Sequence, residues 1–335
     1  MGVGNVRFSV EIVPRDPLWR TCIYATLVDR LGFDAIWLSD HFFNRNVFVA
    51  TAVIANWTSR CLLGPAVVNP YVIHPAIIAQ SIATLEEIAP KRLIMAIGAG
   101  DETSLARLCI KRENPVDKVR ESIHAIRRLL AGEELTSHDG ILCFSSAKLE
   151  TKKSGDVPIY VGAQGKRMLM MSASNADGVL INWTNLDRLK EAINTVKPIA
   201  SSRQGFDIGA HLIISIHEDT AKARKTAIPF AAYLMAGTNN ALLSEIGVSD
   251  EERNLVRSLL IRGDWDRLYS VARDEWIRVF SFYGTVAELR DFIDELLTQG
   301  FTHVVFGGPW GPRPRSALLS IAKLVDELKP NMGRD

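Results

Sequence analysis

Short apolar segments alternate with longer segments of helical periodicity along most of the chain. Residues 62–68 (Leu-Leu-Gly-Pro-Ala-Val-Val) and 93–97 (Leu-Ile-Met-Ala-Ile) show no polar alternation, which is typical of strands buried on both faces. Between them, residues 75–87 place apolar side chains at helical spacing. A strand, a helix and a second strand in this order predict a parallel sheet.

The same unit recurs along the chain. The pattern predicts strands at 6–13, 34–38, 62–68, 93–97, 157–161, 178–181, 211–216 and 303–306. It predicts helices at 19–31, 42–57, 75–87, 115–130, 166–175 and 316–328, and a nearly all-helical segment at about 220–300. At about 132–150 the period changes to two around Asp139-Gly140, which predicts a hairpin insertion.

This alternation predicts an α/β protein with a (β/α)₈ TIM barrel that carries insertion segments. The alternative is a doubly wound open sheet. It is less favoured because the turn after the first strand, residues 13–17, contains no glycine, whereas a dinucleotide-binding fold has a glycine fingerprint there. No composition shift or linker divides the chain, so we expect residues 1–335 to form a single barrel domain.

Composition and charge narrow the class of function. A formal net charge of +1 without a basic run argues against nucleic-acid binding, so a small-molecule partner is expected. No apolar run is long enough to cross a membrane, and the N-terminus lacks the apolar core of a signal peptide, so we expect a soluble cytoplasmic protein. The four cysteines form no CxxC pair and are expected to be buried thiols.

In a barrel, the carboxyl ends of the strands meet at one mouth, where an active site forms. No metal-ligand spacing occurs at these ends, so no metal is expected. A glycine-flanked loop that opens a helix, at residues 162–165, offers backbone N–H groups to a phosphate. The candidate site residues are Glu11, Asp40, His41, Asn69, Tyr71, Gly98, Gly100, Asp101, Gly162, Ala163, Gln164, Gly165, Asn182 and Trp183.

Several residues near the predicted strand ends could have a purely structural role instead of a role in the active site. Glu11 lies inside an apolar strand, where a carboxylate is costly unless it is functional or paired with an arginine. Asp40 could cap the helix that follows it. His74 more readily positions the next helix than contacts substrate. Turn geometry alone could require the glycines at these positions.

Motifs along the whole chain resemble a known family. The segments 37–41 (Trp-Leu-Ser-Asp-His), 63–75 and 85–92 resemble the bacterial luciferase-like superfamily of barrels. The segments 97–101 (Ile-Gly-Ala-Gly-Asp), 161–165 (Val-Gly-Ala-Gln-Gly) and 304–312 are similar to the methylenetetrahydromethanopterin reductases within it. These enzymes use the 5-deazaflavin coenzyme F420.

The resemblance implies a reversible hydride transfer from reduced coenzyme F420 to the methylene carbon of a pterin-bound one-carbon unit. It implies a non-proline cis peptide at Ala66–Val67, Glu11 as the general acid, and Asp40 and His41 as further catalytic residues. The implied pterin contacts are Glu11, Tyr71, Asn182 and Trp183. The implied coenzyme contacts are Asp40, Ala66, Val67, Asn69, Gly98, Gly100, Asp101, Gly162, Ala163, Gln164 and Gly165. We further expect a homodimer or homotetramer.

Three other functions stay open from the sequence. The first is an F420-dependent dehydrogenase of an alcohol or sugar phosphate, in which His41 would be the base. The second is a luciferase-like monooxygenase that uses FMN instead of F420. The third is a non-catalytic barrel that binds cofactor or a partner protein through the helical region at 220–300.

Overall fold

The computed structural model describes residues 6–41, 43–100, 102–151, 156–238 and 240–329. By contacts, the chain divides into two compact units. One comprises Ser9–Ile181 and Asn194–Gly209, and the other Met1–Phe8, Asn182–Ile193 and Ala210–Asp335. The single domain expected from the sequence stays a prediction.

Up to residue 181, strands and helices alternate as predicted, apart from an unpredicted short helix after the fourth strand and the inserted pair of short strands. They are β1 (Arg7–Ile12), α1 (Leu18–Arg30), β2 (Ala35–Ser39), α2 (Val47–Ala55), β3 (Leu62–Ala66), α3 (Pro75–Ile88), β4 (Met95–Ile97), α4 (Glu102–Ala106), α5 (Pro115–Leu130), β5 (Leu135–Ser137), β6 (Phe144–Ala147), β7 (Ile159–Gly162), α6 (Lys166–Asn175) and β8 (Gly178–Ile181). The antiparallel pair β5–β6 is the predicted hairpin insertion.

The elements after residue 181 are richer in helix. They are α7 (Leu186–Ala200), β9 (Asp207–Ile216), α8 (Thr220–Gly237), α9 (Asn240–Glu245), α10 (Asp250–Arg262), α11 (Trp265–Val271), α12 (Asp274–Phe280), β10 (Phe282–Gly284), α13 (Val286–Gln299), β11 (His303–Trp310) and α14 (Pro314–Leu328). Helices therefore occupy most of residues 220–300, where β10 is the short strand among them.

The main sheet confirms the predicted parallel TIM barrel. Its strand order is β3-β2-β1-β11-β9-β8-β7-β4, with β10 paired to β9. Parallel bridges from Leu63 to Leu93 and from Val68 to Ile97 place β3 beside β4 and so join the two ends of this order. The register sets Glu11 opposite Trp37 and Ser39 opposite Ala66, which aligns the carboxyl ends of β1, β2 and β3.

Close approach of neighbouring strands fixes one residue type in β3. A Cβ atom on Gly64 would overlap the backbone oxygen of Ile94, so only glycine fits at this position. The strands themselves are almost entirely buried, as their unbroken apolar sequences require. Inside the larger unit, the rings of Trp37 and Tyr160 pack edge to face with centroids 5.2 Å apart.

Three sequence expectations were wrong. The helix expected from residue 42 begins at Val47, because the side chain of Asn46 accepts hydrogen bonds from the backbone N–H groups of Phe48 and Val49 and caps it there. Helix α7 and strand β10 were not predicted. Cys109 and Cys143 are exposed, and only Cys22 and Cys61 are buried as expected.

Within the described ranges, no helix is both long and apolar enough to cross a membrane.

Candidate active site

Strand β1 carries the acidic centre of the site. Glu11 is 5% exposed in a strand whose other interior residues are apolar or serine. The hydroxyl of Ser39, at the end of β2, donates a hydrogen bond to Oε1 of Glu11. The parallel register of β1 and β2 makes this contact, since residues 9–12 pair with residues 35–38.

Asp40 follows β2 and is a mostly buried acid with incomplete hydrogen bonding. Its Oδ2 atom is buried and has no hydrogen-bond partner among the residues that the structure describes. Burial raises the pKa of this carboxyl to about 6, because the charged form loses hydration. Asp40 does not cap α2, since Asn46 does.

The peptide bond between Ala66 and Val67 is cis, as the resemblance implies. The backbone N–H of Asp40 donates to the oxygen of Ala66 at 3.3 Å, which ties the end of β2 to this bond. The Val67 side chain then lies between two other strand ends. A Cβ atom on Gly162 would lie 2.7 Å from its Cγ1, and one on Gly98 would lie 3.1 Å from its Cγ2. These two glycines therefore make room for Val67.

Asn69 supplies a second incompletely bonded polar group. The side chain is 2% exposed, and its Oδ1 accepts a hydrogen bond from the backbone N–H of Tyr71 at 2.9 Å. Its Nδ2 is buried without a partner in the described part of the chain. Gly100, with φ +69°, lies against this amide so closely that no side chain would fit. A buried donor and a buried acceptor thus stand ready for a polar ligand.

The loop Gly162–Gly165 ends at the N-terminus of α6. The backbone N–H of Ala163 donates to the oxygen of Leu180 at 3.0 Å, while Gln164 and Gly165 are exposed. Gly165 is the N-cap and provides no side-chain cap. A Cβ atom at Gly165 would meet nothing within 4 Å, so packing does not explain this glycine. The loop therefore keeps the geometry needed for an anion at a helix start.

Tyr71 connects the site to the segment after α4. Its hydroxyl donates a hydrogen bond to the backbone oxygen of Glu113, and burial raises the pKa of Tyr71. In the same segment, Nη1 of Arg112 donates to the oxygen of Gly100 at 3.1 Å. The Arg107 guanidinium lies 4.3 Å from the ring centre of Phe43, an exposed residue after β2. These contacts fix the segment beside the strand ends.

The remaining candidates are less closely connected. His41 is partly buried, and its backbone oxygen accepts a hydrogen bond from the N–H of Asn44. Asp101 lies outside the described residues. Asn182 and Trp183 belong to the other unit, where Trp183 is 3% exposed and its ring centre lies 5.8 Å from that of Phe280. His74 caps α3 through its Nδ1, as the structural alternative expected.

Ser39 stands at a predicted strand end beside Asp40 and His41, but the sequence assigned it no role in the site. A serine beside the Asp-His pair at a strand end is the signal that could have identified it. Among the described side chains, no group of three histidines, cysteines or acids could hold a metal ion. The arrangement offers a buried acid on Glu11 for proton transfer, and polar groups on Asp40 and Asn69 for a ligand.

Comparison with known proteins gives similarities over nearly the whole length of the chain. A family described as luciferase-like monooxygenase matches residues 7–303. The 5,10-methylenetetrahydromethanopterin reductase of Archaeoglobus fulgidus is 36% identical, with 97% of this chain and 100% of that protein covered. The reductase of the same name from Methanolobus tindarius is 35% identical, with 95% and 99% covered.

A solved structure shows the same similarity in three dimensions. The coenzyme F420-dependent tetrahydromethanopterin reductase from Methanopyrus kandleri superposes with a TM-score of 0.87 at 26% sequence identity. The superposition covers 97% of this chain and 99% of that one.

Proposed function

The chain belongs to the luciferase-like monooxygenase family and, within it, to the 5,10-methylenetetrahydromethanopterin reductases; on this premise we propose that it transfers a hydride between coenzyme F420 and a pterin-bound one-carbon unit. The reaction converts the methylene pterin to the methyl pterin and is reversible. The observation that carries the proposal is the identity of 36% over 97% of the chain with a reductase that is itself covered completely.

The residues of the site fit coenzyme F420. The buried Oδ2 of Asp40 can accept a hydrogen bond from the polar edge of the deazaflavin, and the buried Nδ2 of Asn69 can donate one to it. The N-terminus of α6, after Gly165, can hold the phosphate of the coenzyme. When bound, the deazaflavin supplies or accepts the hydride.

Glu11 is proposed as the general acid. Opening of the methylene bridge requires a proton on the departing pterin nitrogen. Glu11 is a buried carboxylic acid at a strand end and is the side chain that can supply this proton. Asp40 and His41 stay predicted further catalytic residues, and Tyr71, Asn182 and Trp183 stay predicted substrate contacts.

The decisive experiment is an assay of the purified protein with reduced F420 and methylenetetrahydromethanopterin. We expect oxidation of F420 that depends on the pterin. Activity with glucose 6-phosphate or a secondary alcohol but not with the pterin would overturn the proposal in favour of a dehydrogenase. Titration with F420 and with FMN, followed by fluorescence quenching, tests the cofactor, and preference for FMN would indicate a monooxygenase.

Glu11→Gln tests the acid separately from the cofactor. We expect kcat to fall by about 100-fold to 10,000-fold, since the amide cannot deliver the proton, while F420 binding is kept. Glu87→Gln, on an exposed glutamate of α3, is the matched control. Near-normal turnover of Glu11→Gln with intact F420 binding would contradict the assignment.

We also propose that the protein is a homodimer. Trp19 and Ile23 of α1, Val49 of α2, Trp57 just after it, and Ile77 of α3 are each more than half exposed. Helix α2 packs against both α1 and α3 and contains no charged residue. Because these exposed side chains are apolar, a second copy of the chain is the occupant that we propose for this surface.

Light scattering on Trp57→Glu tests this assembly. We expect the variant to be monomeric, whereas Ile261→Glu, at a still more exposed apolar position of α10, keeps the wild-type mass. Loss of assembly in Ile261→Glu alone would instead place the interface in the region 220–300. A wild-type monomer would overturn the proposal, and a tetramer that Trp57→Glu reduces to dimers would extend it.

A cytoplasmic location stays a prediction.

A further inference from the structure

Ser39 stands between the acid and the cis peptide bond. Strand β2 pairs with β1 on one side and with β3 on the other, and Ser39 is aligned with Ala66 in the second pairing. The side chain of Ser39 points toward β1, where its hydroxyl donates a hydrogen bond to Glu11. Both side chains are almost completely buried, at 2% and 5% exposed. The position of the hydroxyl is therefore set by two strand pairings and not by solvent.

A serine hydroxyl has one proton to donate. Because Ser39 donates that proton to Oε1, the two oxygens of the Glu11 carboxyl are no longer equivalent. A hydrogen bond to an ionised carboxylate is roughly twice as strong as one between neutral groups. The hydrogen bond from Ser39 also limits rotation of the Glu11 carboxyl group, which would turn freely in an unrestrained glutamate side chain.

We propose that Ser39 is a positioning residue for Glu11, which holds Oε1 and so presents Oε2 as the oxygen that carries the transferred proton. This inference rests on the proposed function, in which Glu11 is the acid. In the reductive direction, the proton leaves Oε2 for the departing pterin nitrogen. The bond between that nitrogen and the methylene carbon breaks, and its electron pair stays on the nitrogen. The carboxylate that remains is stabilised by the Ser39 hydroxyl until water reprotonates it.

A double-mutant cycle distinguishes positioning from a general structural role. We expect Ser39→Ala to lower kcat by about 10-fold to 100-fold, because misplacement of a catalytic group has effects of this size. The KM for the pterin and the Kd for F420 are expected to change by less than about 2-fold. Ser39→Thr, which keeps the hydroxyl, should recover most of the rate. In the Glu11→Gln background, Ser39→Ala should have almost no further effect.

The matched control is Ser122→Ala, which removes a buried serine hydroxyl that donates to the backbone oxygen of Lys118 in its own helix, α5. This variant should keep wild-type kcat. An unchanged kcat in Ser39→Ala, or an equal loss in both Glu11 backgrounds, would overturn the inference.

Infrared spectroscopy of the cofactor-free protein gives a readout that does not depend on turnover. The carboxyl band that Glu11→Gln removes should shift in Ser39→Ala and keep its position in Ser122→Ala. An unshifted band would refute the contact even if the pterin were not the substrate. Absence of pterin-dependent F420 oxidation in the wild type would refute the proposed function instead, so the two failures are distinguishable.

Discussion

Asp29 and Asp40 are two acids of the same unit that lie at opposite ends of neighbouring strands. The carboxylate of Asp29, in α1, accepts hydrogen bonds from the N–H groups of Ser59, Arg60 and Cys61, just before β3 begins. Burial by itself raises the pKa of Asp29, but these hydrogen bonds outweigh it and lower the pKa below its usual range.

Asp40, beyond the carboxyl end of β2, has the opposite character. Its Oδ2 has no partner among the described residues, and burial raises its pKa to about 6. The comparison shows that burial alone does not identify a functional acid. The satisfied carboxylate holds the fold together, and the unsatisfied one is available to a ligand. Four experiments test this contrast.

Asp29→Ala should have the largest effect on stability. Three backbone N–H groups lose their acceptor, and we expect the free energy of unfolding to fall by about 3 to 5 kcal/mol. Urea denaturation measures the change. Asp187→Ala, at an exposed position of α7, is the control and should stay within about 0.5 kcal/mol. A loss below about 1 kcal/mol for Asp29→Ala would remove the contrast.

The pH dependence of stability should differ in sign between the two acids. For Asp40, the folded-state pKa of about 6 lies above the usual 3.8, so ionisation destabilises the fold as the pH rises through this window. Relative to Asp40→Asn, the wild type should lose about 2 kcal/mol between these pH values. For Asp29, whose pKa is lowered, stability is present above the usual pKa and is lost as the pH falls through the folded-state value. Urea denaturation at stepwise pH checks both signs.

Asp40→Asn should weaken F420 binding without loss of stability at neutral pH. The variant keeps the shape of the side chain but removes a charged acceptor, and such a hydrogen bond contributes about 1.5 to 3 kcal/mol. We expect the Kd for F420 to rise by about 10-fold to 100-fold in a fluorescence titration. Unchanged affinity would show that the buried Oδ2 does not meet the coenzyme.

Gly162→Ala and Gly165→Ala should give the smallest effects. They compare a tightly packed position with an open position in the same loop. At Gly162 the added methyl group would press on Val67, which we expect to cost about 1 to 3 kcal/mol. At Gly165 it would meet open space, so stability should stay within about 0.5 kcal/mol, while F420 affinity falls. Calorimetry and a coenzyme titration separate the two outcomes. Equal destabilisation by both variants would contradict the packing argument.

The barrel could be predicted from the sequence because its strands are buried on both faces and therefore read as unbroken apolar segments. Strand β10 could not, since it has only three residues inside a segment of helical periodicity. It is a strand because Phe282 pairs with Ile214 of β9, far away in the chain. The start of α2 was placed too early because residues 42–46 precede an apolar helix, and only the Asn46 cap marks where that helix begins.

Less of the site than of the fold could be predicted from the sequence. The cis bond at Ala66–Val67 followed from family motifs and not from any local pattern. The position of Glu11 in an apolar strand marked it as unusual without indicating its partner. Ser39 was missed because its contact with Glu11 depends on the register between β1 and β2, which the residue types do not encode locally.

The packing of Val67 has a consequence for how relatives of this protein diverge. Gly98, Gly162 and the Val67 side chain share one small volume, although the three positions are far apart in the chain. A larger residue at position 98 or 162 requires a smaller one at position 67. We therefore expect these positions to change together in related sequences, as a single inherited unit.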